Sequence, residues 1–162
     1  MLTIIHDYDI NTIKDGLKYL LKKASNSEQL RELAIQITYT EQDSIATIYD
    51  WVKNNMKYVP DPVLAGDEEA ELFISPVRMI KDYHLGKPLA GDCDDMALLA
   101  VAFCRSIGIK SNVVILDTVG EGYDHAIARA YSEKLEKWVI LDPSTSEIPL
   151  GWEEKYVSKV IV

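Results

Sequence analysis

Cysteine, long apolar runs and positive charge are all scarce in this sequence. Its 162 residues contain two cysteines, Cys93 and Cys104, too few for a disulfide framework. The longest uncharged apolar run, Met96 to Cys104, has nine residues, about half the length that spans a bilayer. Lysine and arginine number 17 against 26 acidic residues, a net charge of −9, which disfavours nucleic-acid binding and a polybasic membrane anchor. Met1 to Ile10 lacks the pattern of a signal peptide, so a cytoplasmic location is expected.

The composition is that of a folded domain. Apolar residues make up 48% of the chain and charged residues 27%, which excludes a disordered tail or a fibrous repeat. A chain of this length can bury enough surface to fold without a metal or disulfides. We therefore expect one domain over residues 1–162.

Helical patterns dominate the first half of the chain. Apolar residues recur at helical spacing over 13–24, Ser27 is a suitable cap for a second helix, and a third begins near Asp43. The segment 58–62 is predicted to be extended, because each proline disfavours helical angles in the residue before it. Ser75 followed by proline is typical of a further helix start.

The second half changes from helix to strand. Residues 92–107 are apolar on nearly every face, which predicts a buried helix. Strand patterns follow at 112–116, 125–131 and 137–141, with the last two close enough for a hairpin. Helices followed by an antiparallel sheet predict the α+β class.

Cys93 is the better candidate nucleophile of the two cysteines. It lies in the first turn of the predicted buried helix, where unpaired backbone N–H groups and the helix dipole favour a thiolate. Cys104 lies about 16 Å further along the axis, beyond the ~7 Å Cα separation of a disulfide. Cys104 is therefore predicted to be a small core residue.

A base and an orienting carboxylate are available for Cys93. His125 opens one predicted strand and Asp142 closes the next, and in an antiparallel hairpin these two positions lie at the same edge. If the buried helix directs its first turn toward that edge, Cys93, His125 and Asp142 converge as nucleophile, base and orienter.

Three segments in this order resemble the transglutaminase-like superfamily. Residues 91–99 with 105–109 resemble its nucleophile helix, 124–126 its histidine strand, and 138–143 its aspartate strand. The segment 49–58 also resembles the upstream helix and extended stretch of that family. The resemblance covers residues 42–145, between an N-terminal helical part, 1–41, and a C-terminal extension, 146–162.

The resemblance implies a papain-like α+β fold with N-terminal helices and a buried helix on a small antiparallel sheet. It also implies a Cys93–His125–Asp142 triad that hydrolyses peptide or side-chain amides through a thioester, with a protein or peptide substrate and no cofactor. Two alternative functions remain open. One is a transglutaminase-type acyl transferase that cross-links proteins, and the other is a non-catalytic binding or assembly domain. The compact form of the domain is similar to that of bacterial, archaeal or phage-encoded members. A phage-encoded protein of this kind could associate with a virion. Oligomeric state is left open.

The sequence also provides candidates for the groups around the reacting atoms. The backbone N–H of Cys93 is a natural oxyanion donor, and Tyr58 is a candidate second donor from its upstream position. Asp92 and Asp124 adjoin the catalytic residues and complete the candidate oxyanion and substrate-binding set.

Three carboxylates in one turn, Asp92, Asp94 and Asp95, raise the question of a metal. They suit a helix N-terminus without one, Asp92 can cap the helix, and their spacing is not that of an EF-hand, so no metal is predicted. Nearby anions disfavour a thiolate, so a protonated His125 is expected to offset them.

Overall fold

The helices of the computed structural model surround one buried helix near the middle of the chain. The structure describes residues 2–5, 9–66, 71–145 and 147–162. The sequence predicts a solvated loop for the acidic stretch 66–71, most of which lies outside these residues. No helix in these ranges is long and apolar enough to cross a membrane. The helices are α1 (Ile10–Ser25), α2 (Glu28–Thr38), α3 (Ser44–Asn55), α4 (Asp61–Ala65), α5 (Pro76–His84) and α6 (Cys93–Ser106).

Side-chain caps fix the starts of the central helices. The Ser27 side chain accepts the backbone N–H of Leu30 at 3.3 Å and begins α2. The Asp43 side chain accepts the N–H of Ala46 at 3.0 Å and begins α3. These caps satisfy amides that lack partners within the helix, and both helices begin where the sequence predicts.

Among the described residues, three sheets accompany the helices. The strands are β1 (Leu2–Ile5), β2 (Met56–Tyr58), β3 (Glu71–Ile74), β4 (Leu89–Gly91), β5 (Ser111–Asp117), β6 (His125–Ser132), β7 (Lys137–Leu141) and β8 (Ser158–Ile161). The four-stranded sheet has the order β7-β6-β5-β8 and is antiparallel throughout; β1 with β3 and β2 with β4 form two further pairs. The predicted hairpin is present as β6 and β7.

Helix α6 is the centre of the core. Every residue from Asp94 to Cys104 is buried, because α1, α2 and α3 pack around it together with β5 and β6. A helix that is apolar on all faces requires such enclosure. Helices packed on an antiparallel sheet confirm the predicted α+β class.

The predicted extended segment 58–62 is only partly extended. Asp61 and Pro62 form the first turn of α4, which Gly66 ends in the left-handed conformation at φ 68°. Proline is tolerated in a first helical turn because its missing N–H has no intrahelical acceptor there. The buried Asp61 carboxylate also accepts the N–H of Leu72 at 2.5 Å, which fixes this turn against β3.

The parallel pair β2–β4 leads directly into α6. Its register aligns Tyr58 with Gly91, and the N–H of Val59 donates to the Gly91 carbonyl at 2.9 Å. This ladder fixes the backbone two residues before Cys93 and brings the end of β2 beside the start of α6.

Candidate active site

Cys93 is the first residue of α6 and is partly exposed. The N-cap is Asp92, whose side chain accepts the N–H of Asp94 at 3.2 Å. This position gives Cys93 the field of the helix N-terminus. Cys104 is 1% exposed, and burial raises the pKa of its thiol to about 12. Only Cys93 combines access with a position that favours a thiolate.

His125 and Asp142 form a close pair beside the sheet. His125 is the first residue of β6, and Asp142 directly follows β7. The imidazole Nε2 lies 2.7 Å from Asp142 Oδ2. The other oxygen, Oδ1, accepts the hydroxyl of Ser144 at 2.6 Å and its N–H at 3.2 Å. The carboxylate is therefore held at both oxygens, which fixes the orientation of the imidazole.

The pair shifts the pKa values of both partners in opposite directions. Burial opposes each charge, but it is outweighed at His125 by the hydrogen bond and charge of Asp142, so the pKa of His125 is raised. At Asp142 burial is outweighed by the bonds from His125 and Ser144, so the pKa of Asp142 is lowered. The arrangement stabilises imidazolium beside carboxylate.

Cys93 and His125 line one cavity of about 200 Å³. Three further predicted site residues, Tyr58, Asp92 and Asp124, line it as well. Asp142 is 2% exposed and does not line the cavity, so it acts on the cavity only through His125. The rest of the wall is largely apolar and is formed by Ile13, Leu17, Phe73, Asp94, Ile115, Tyr123 and Ala126.

Tyr58 presents a protonated phenol to this cavity. Burial raises its pKa to about 12, helped by negative charge at Cys93 and at Asp92, Asp61 and Asp94. A phenol that keeps its proton can donate a hydrogen bond to a developing oxyanion. This chemistry suits the predicted role, because β2 carries Tyr58 beside the strand that precedes Cys93.

Asp124 closes the loop before β6. Its carboxylate accepts the N–H of Thr118 at 2.9 Å and the Thr118 hydroxyl at 2.5 Å. Burial is outweighed by these bonds, so the pKa of Asp124 is lowered. Asp124 therefore shapes one wall of the cavity and adds to the negative charge that raises the pKa of His125.

The acidic residues near Cys93 divide into two groups. Carboxylate oxygens of Asp61, Asp92 and Asp94 lie within 4.8 Å of one another, and oxygen ligands of this kind could hold a hard cation. Asp95 points elsewhere, since its Oδ1 accepts the N–H of Ile74 at 2.7 Å. The three carboxylates whose oxygens lie close together therefore differ from the three of one helical turn: Asp61 is included, and Asp95, which holds β3, is not. The expectation of no metal stays a prediction.

Burial acts against the charged form of two carboxyls beside the thiol. It raises the pKa of Asp92, and it raises the pKa of Asp95 well above the usual range. The expectation that a protonated His125 offsets the acidic neighbours of Cys93 stays a prediction.

Sequence reasoning missed Asp61 and Ser144. Asp61 lies 31 positions before Asp92, and nothing local links them. Ser144 had a usable signal, because serine two residues after an aspartate is a common partner for that side chain in turns. The wall residue Phe73 comes from β3, a strand too short to predict from its pattern.

Comparisons with known proteins bear on the family and the fold of this chain. The model of the family described as the transglutaminase-like superfamily matches residues 31–143, eleven residues further toward the N-terminus than the predicted 42. A search of curated proteins finds no match.

Several solved structures are similar to this chain. A candidate cysteine protease from Cytophaga hutchinsonii is 22% identical, with a TM-score of 0.58 over 95% of this chain and 48% of that chain. Legionella pneumophila LapG is 17% identical, with a TM-score of 0.47 over 83% of this chain and 74% of that one. A TGase is 19% identical, with a TM-score of 0.45 over 93% and 37%. The chain thus spans about half the length of the Cytophaga protein. The predicted papain-like fold is confirmed, and because the family model covers more than half of the sequence, the chain belongs to the transglutaminase-like superfamily.

Proposed function

We propose that this protein is a thiol-dependent hydrolase of peptide or side-chain amide bonds, with Cys93, His125 and Asp142 as its triad. The observation that carries the proposal is the 2.7 Å contact of His125 with Asp142, together with the cavity that His125 shares with Cys93. Membership of a superfamily that contains cysteine hydrolases supports it.

The first half of the reaction forms a thioester. The Cys93 thiolate attacks the amide carbonyl carbon, and the C=O electron pair moves onto oxygen. Because Asp142 engages Nε2 of His125, proton transfer falls to Nδ1, which gives its proton to the leaving nitrogen as the C–N bond breaks. The amine departs and the acyl group stays on sulfur.

The second half regenerates the enzyme. His125, now neutral, takes a proton from water while the water oxygen attacks the thioester carbonyl. The C–S bond breaks, the carboxylic acid leaves, and the Cys93 thiolate and the imidazolium are restored. Asp142 stabilises the imidazolium at the start and end of the cycle.

The oxyanion formed in each half needs two donors. The backbone N–H of Cys93 at the helix start is one, and the phenol of Tyr58 is the other. We expect Tyr58→Phe to lower kcat by about 10²-fold, as loss of one oxyanion donor does, with little change in KM. A kcat equal to that of the wild type would remove Tyr58 from the mechanism.

The decisive experiment follows the fate of the acyl group. A peptide library containing backbone and glutamine amides is incubated with the protein, with and without a primary amine, and the products are analysed by mass spectrometry. Hydrolysis adds one water to the substrate, whereas acyl transfer adds the amine. Cys93→Ala should abolish both products, and Cys104→Ala is the matched control that keeps them.

The three outcomes separate the candidate functions. A hydrolysed product that requires Cys93 supports the proposal. Incorporation of the amine in preference to water would replace it with acyl transfer. A library that the protein leaves unchanged, while Cys93 still reacts with an alkylating reagent, would contradict catalysis and favour a binding domain.

A further inference from the structure

A second, larger cleft lies between α1, the start of α2 and α5. Its volume is about 750 Å³, within the range of about 300–1,000 Å³ found for ligand sites. It shares no lining residue with the cavity of Cys93. The cleft is therefore a separate surface that the proposed hydrolysis does not use.

The charge of this cleft is opposite to that of the protein. Lys23, Arg78, Lys81 and Lys87 line it, against one acidic residue, Asp82. The lining thus carries a net charge of +3 in a chain whose net charge is −9. A local field of this sign attracts anionic groups that the rest of the surface repels.

Asp82 holds two of the cations in position. Its Oδ2 lies 2.7 Å from Arg78 Nε and its Oδ1 lies 3.3 Å from Lys87 Nζ. The hydrogen bond from Arg78 is the main reason that the pKa of Asp82 is lowered, so this carboxylate stays charged at neutral pH. One negative charge is shared by two cations, which leaves positive charge in excess.

The other two cations have no acidic partner of this kind. In the described residues, no carboxylate lies within 4.0 Å of the ammonium nitrogen of Lys23 or Lys81. The Lys23 nitrogen lies over the ring of Tyr19, 4.7 Å from its centroid. These ammonium groups remain available to a carboxylate from another molecule.

Apolar side chains line the cleft together with the cations. Tyr19 is 51% exposed and Leu85 is 62% exposed, and both line the cleft with Leu20 and Val77. The cations come from α1, from α5 and from the loop that follows α5. Charges that come from three segments and share the cleft with apolar side chains suit an extended chain better than a compact inorganic anion.

We propose that this cleft binds an acidic peptide segment of a partner protein, with carboxylates facing Lys23, Arg78 and Lys81 and apolar side chains on Tyr19 and Leu85. The charge complementarity of the two surfaces favours this occupant. Because the net charge of the chain repels acidic partners elsewhere, the cleft also selects the orientation in which such a partner approaches.

Fluorescence anisotropy with two labelled peptides tests the proposal. One peptide alternates glutamate, aspartate and leucine, and the other replaces the acids with glutamine and asparagine. The wild-type protein should bind the acidic peptide saturably, with an affinity that falls as salt is added, and should bind the neutral peptide at least roughly tenfold more weakly.

Two charge-reversed variants locate the binding. Lys23→Glu with Lys81→Glu should weaken binding of the acidic peptide by roughly tenfold or more. Lys134→Glu with Lys137→Glu changes the net charge equally at exposed positions of the β6–β7 hairpin and should bind nearly as the wild type does. Circular dichroism verifies that both variants are folded.

Several results would overturn the proposal. Equal weakening by both variants would mean that net charge alone is measured, and no weakening by the first would place the peptide elsewhere. Equal binding of the two peptides would remove the role of charge. Binding to vesicles of phosphatidylserine and phosphatidylcholine, without binding to the acidic peptide, would make the cleft a lipid site. None of these readouts depends on turnover at Cys93, so the proposed hydrolysis stands or fails separately.

Discussion

Replacing Gly91 by alanine adds one methyl group where β4 leads into α6. The new Cβ would lie 2.6 Å from Asp95 Oδ2 and 2.7 Å from Asp95 Cβ, so atoms must move. Asp95 is fully buried, and its Oδ1 accepts the N–H of Ile74 at 2.7 Å. Gly91 is held from the other side, because its carbonyl accepts the N–H of Val59. Neither partner can yield without losing a contact.

The free-energy cost follows from these contacts. Overpacking a buried position costs about 1–3 kcal/mol, and leaving the Ile74 amide unsatisfied adds about 1–3 kcal/mol. We expect Gly91→Ala to lower the free energy of unfolding by about 2–6 kcal/mol, a large part of the ~5–15 kcal/mol of a typical domain. The corresponding fall in Tm is roughly 4–24 °C.

Urea denaturation followed by circular dichroism measures this cost, and a double-mutant cycle assigns it. Asp95→Gly removes every Asp95 atom that the new methyl would meet, so the double variant should be more stable than the two single costs predict. Strictly additive costs would show that the methyl clashes with something other than Asp95. A wild-type urea midpoint for Gly91→Ala would refute the argument for close approach altogether.

Four further residues give predictions about the site itself. At about pH 6, iodoacetamide should alkylate Cys93 far faster than Cys104, whose pKa is about 12; equal, slow labelling would make Cys93 an ordinary thiol. Asp142→Asn should lower kcat/KM on the order of 10²–10⁴-fold. Because Asp142 raises the pKa of His125, the substitution should also move the alkaline limit of the pH–rate profile to lower pH. An unchanged pH–rate profile would mean that the site works as a Cys–His dyad. The stability of this pair should be lost as pH falls through the lowered pKa of Asp142 and as it rises through the raised pKa of His125, so the urea midpoints of wild type and Asp142→Asn should converge at both extremes. Ser144→Ala should lower kcat more than it raises KM, and Ser144→Thr, which keeps the hydroxyl, should have nearly the wild-type kcat. Equal activity of the wild type and both variants would mean that Ser144 only stabilises the turn after β7.

The elements with strong local signals could be predicted from the sequence. Helix α6 is apolar on every face over a whole element, and the β6–β7 hairpin has strands long enough to show a pattern. The pairing of His125 with Asp142 follows from that hairpin, since the start of one strand and the end of the next share an edge. The residues of this one hairpin are enough to predict the pair.

The elements that the sequence did not predict depend on distant partners. Strands β2 and β4 have three residues each, too few to show a period, and they pair across more than 30 positions. The prolines of 58–62 predict extended chain where α4 begins, which is wrong because the rule against proline in helices does not apply in a first turn. Asp61 joins Asp92 and Asp94 only through this unpredicted turn.

The position of β6 in the sheet order has a consequence for local opening. His125 begins a strand with neighbours on both sides, β5 and β7, so most amides of that strand should exchange with deuterium only when the whole protein unfolds. Strand β4, which precedes Cys93, pairs within the described part of the chain with β2 alone, in a three-residue ladder, and its amides should exchange through smaller fluctuations. The histidine side of the cavity should therefore open only with global unfolding, whereas the short ladder before α6 should open at a lower free energy.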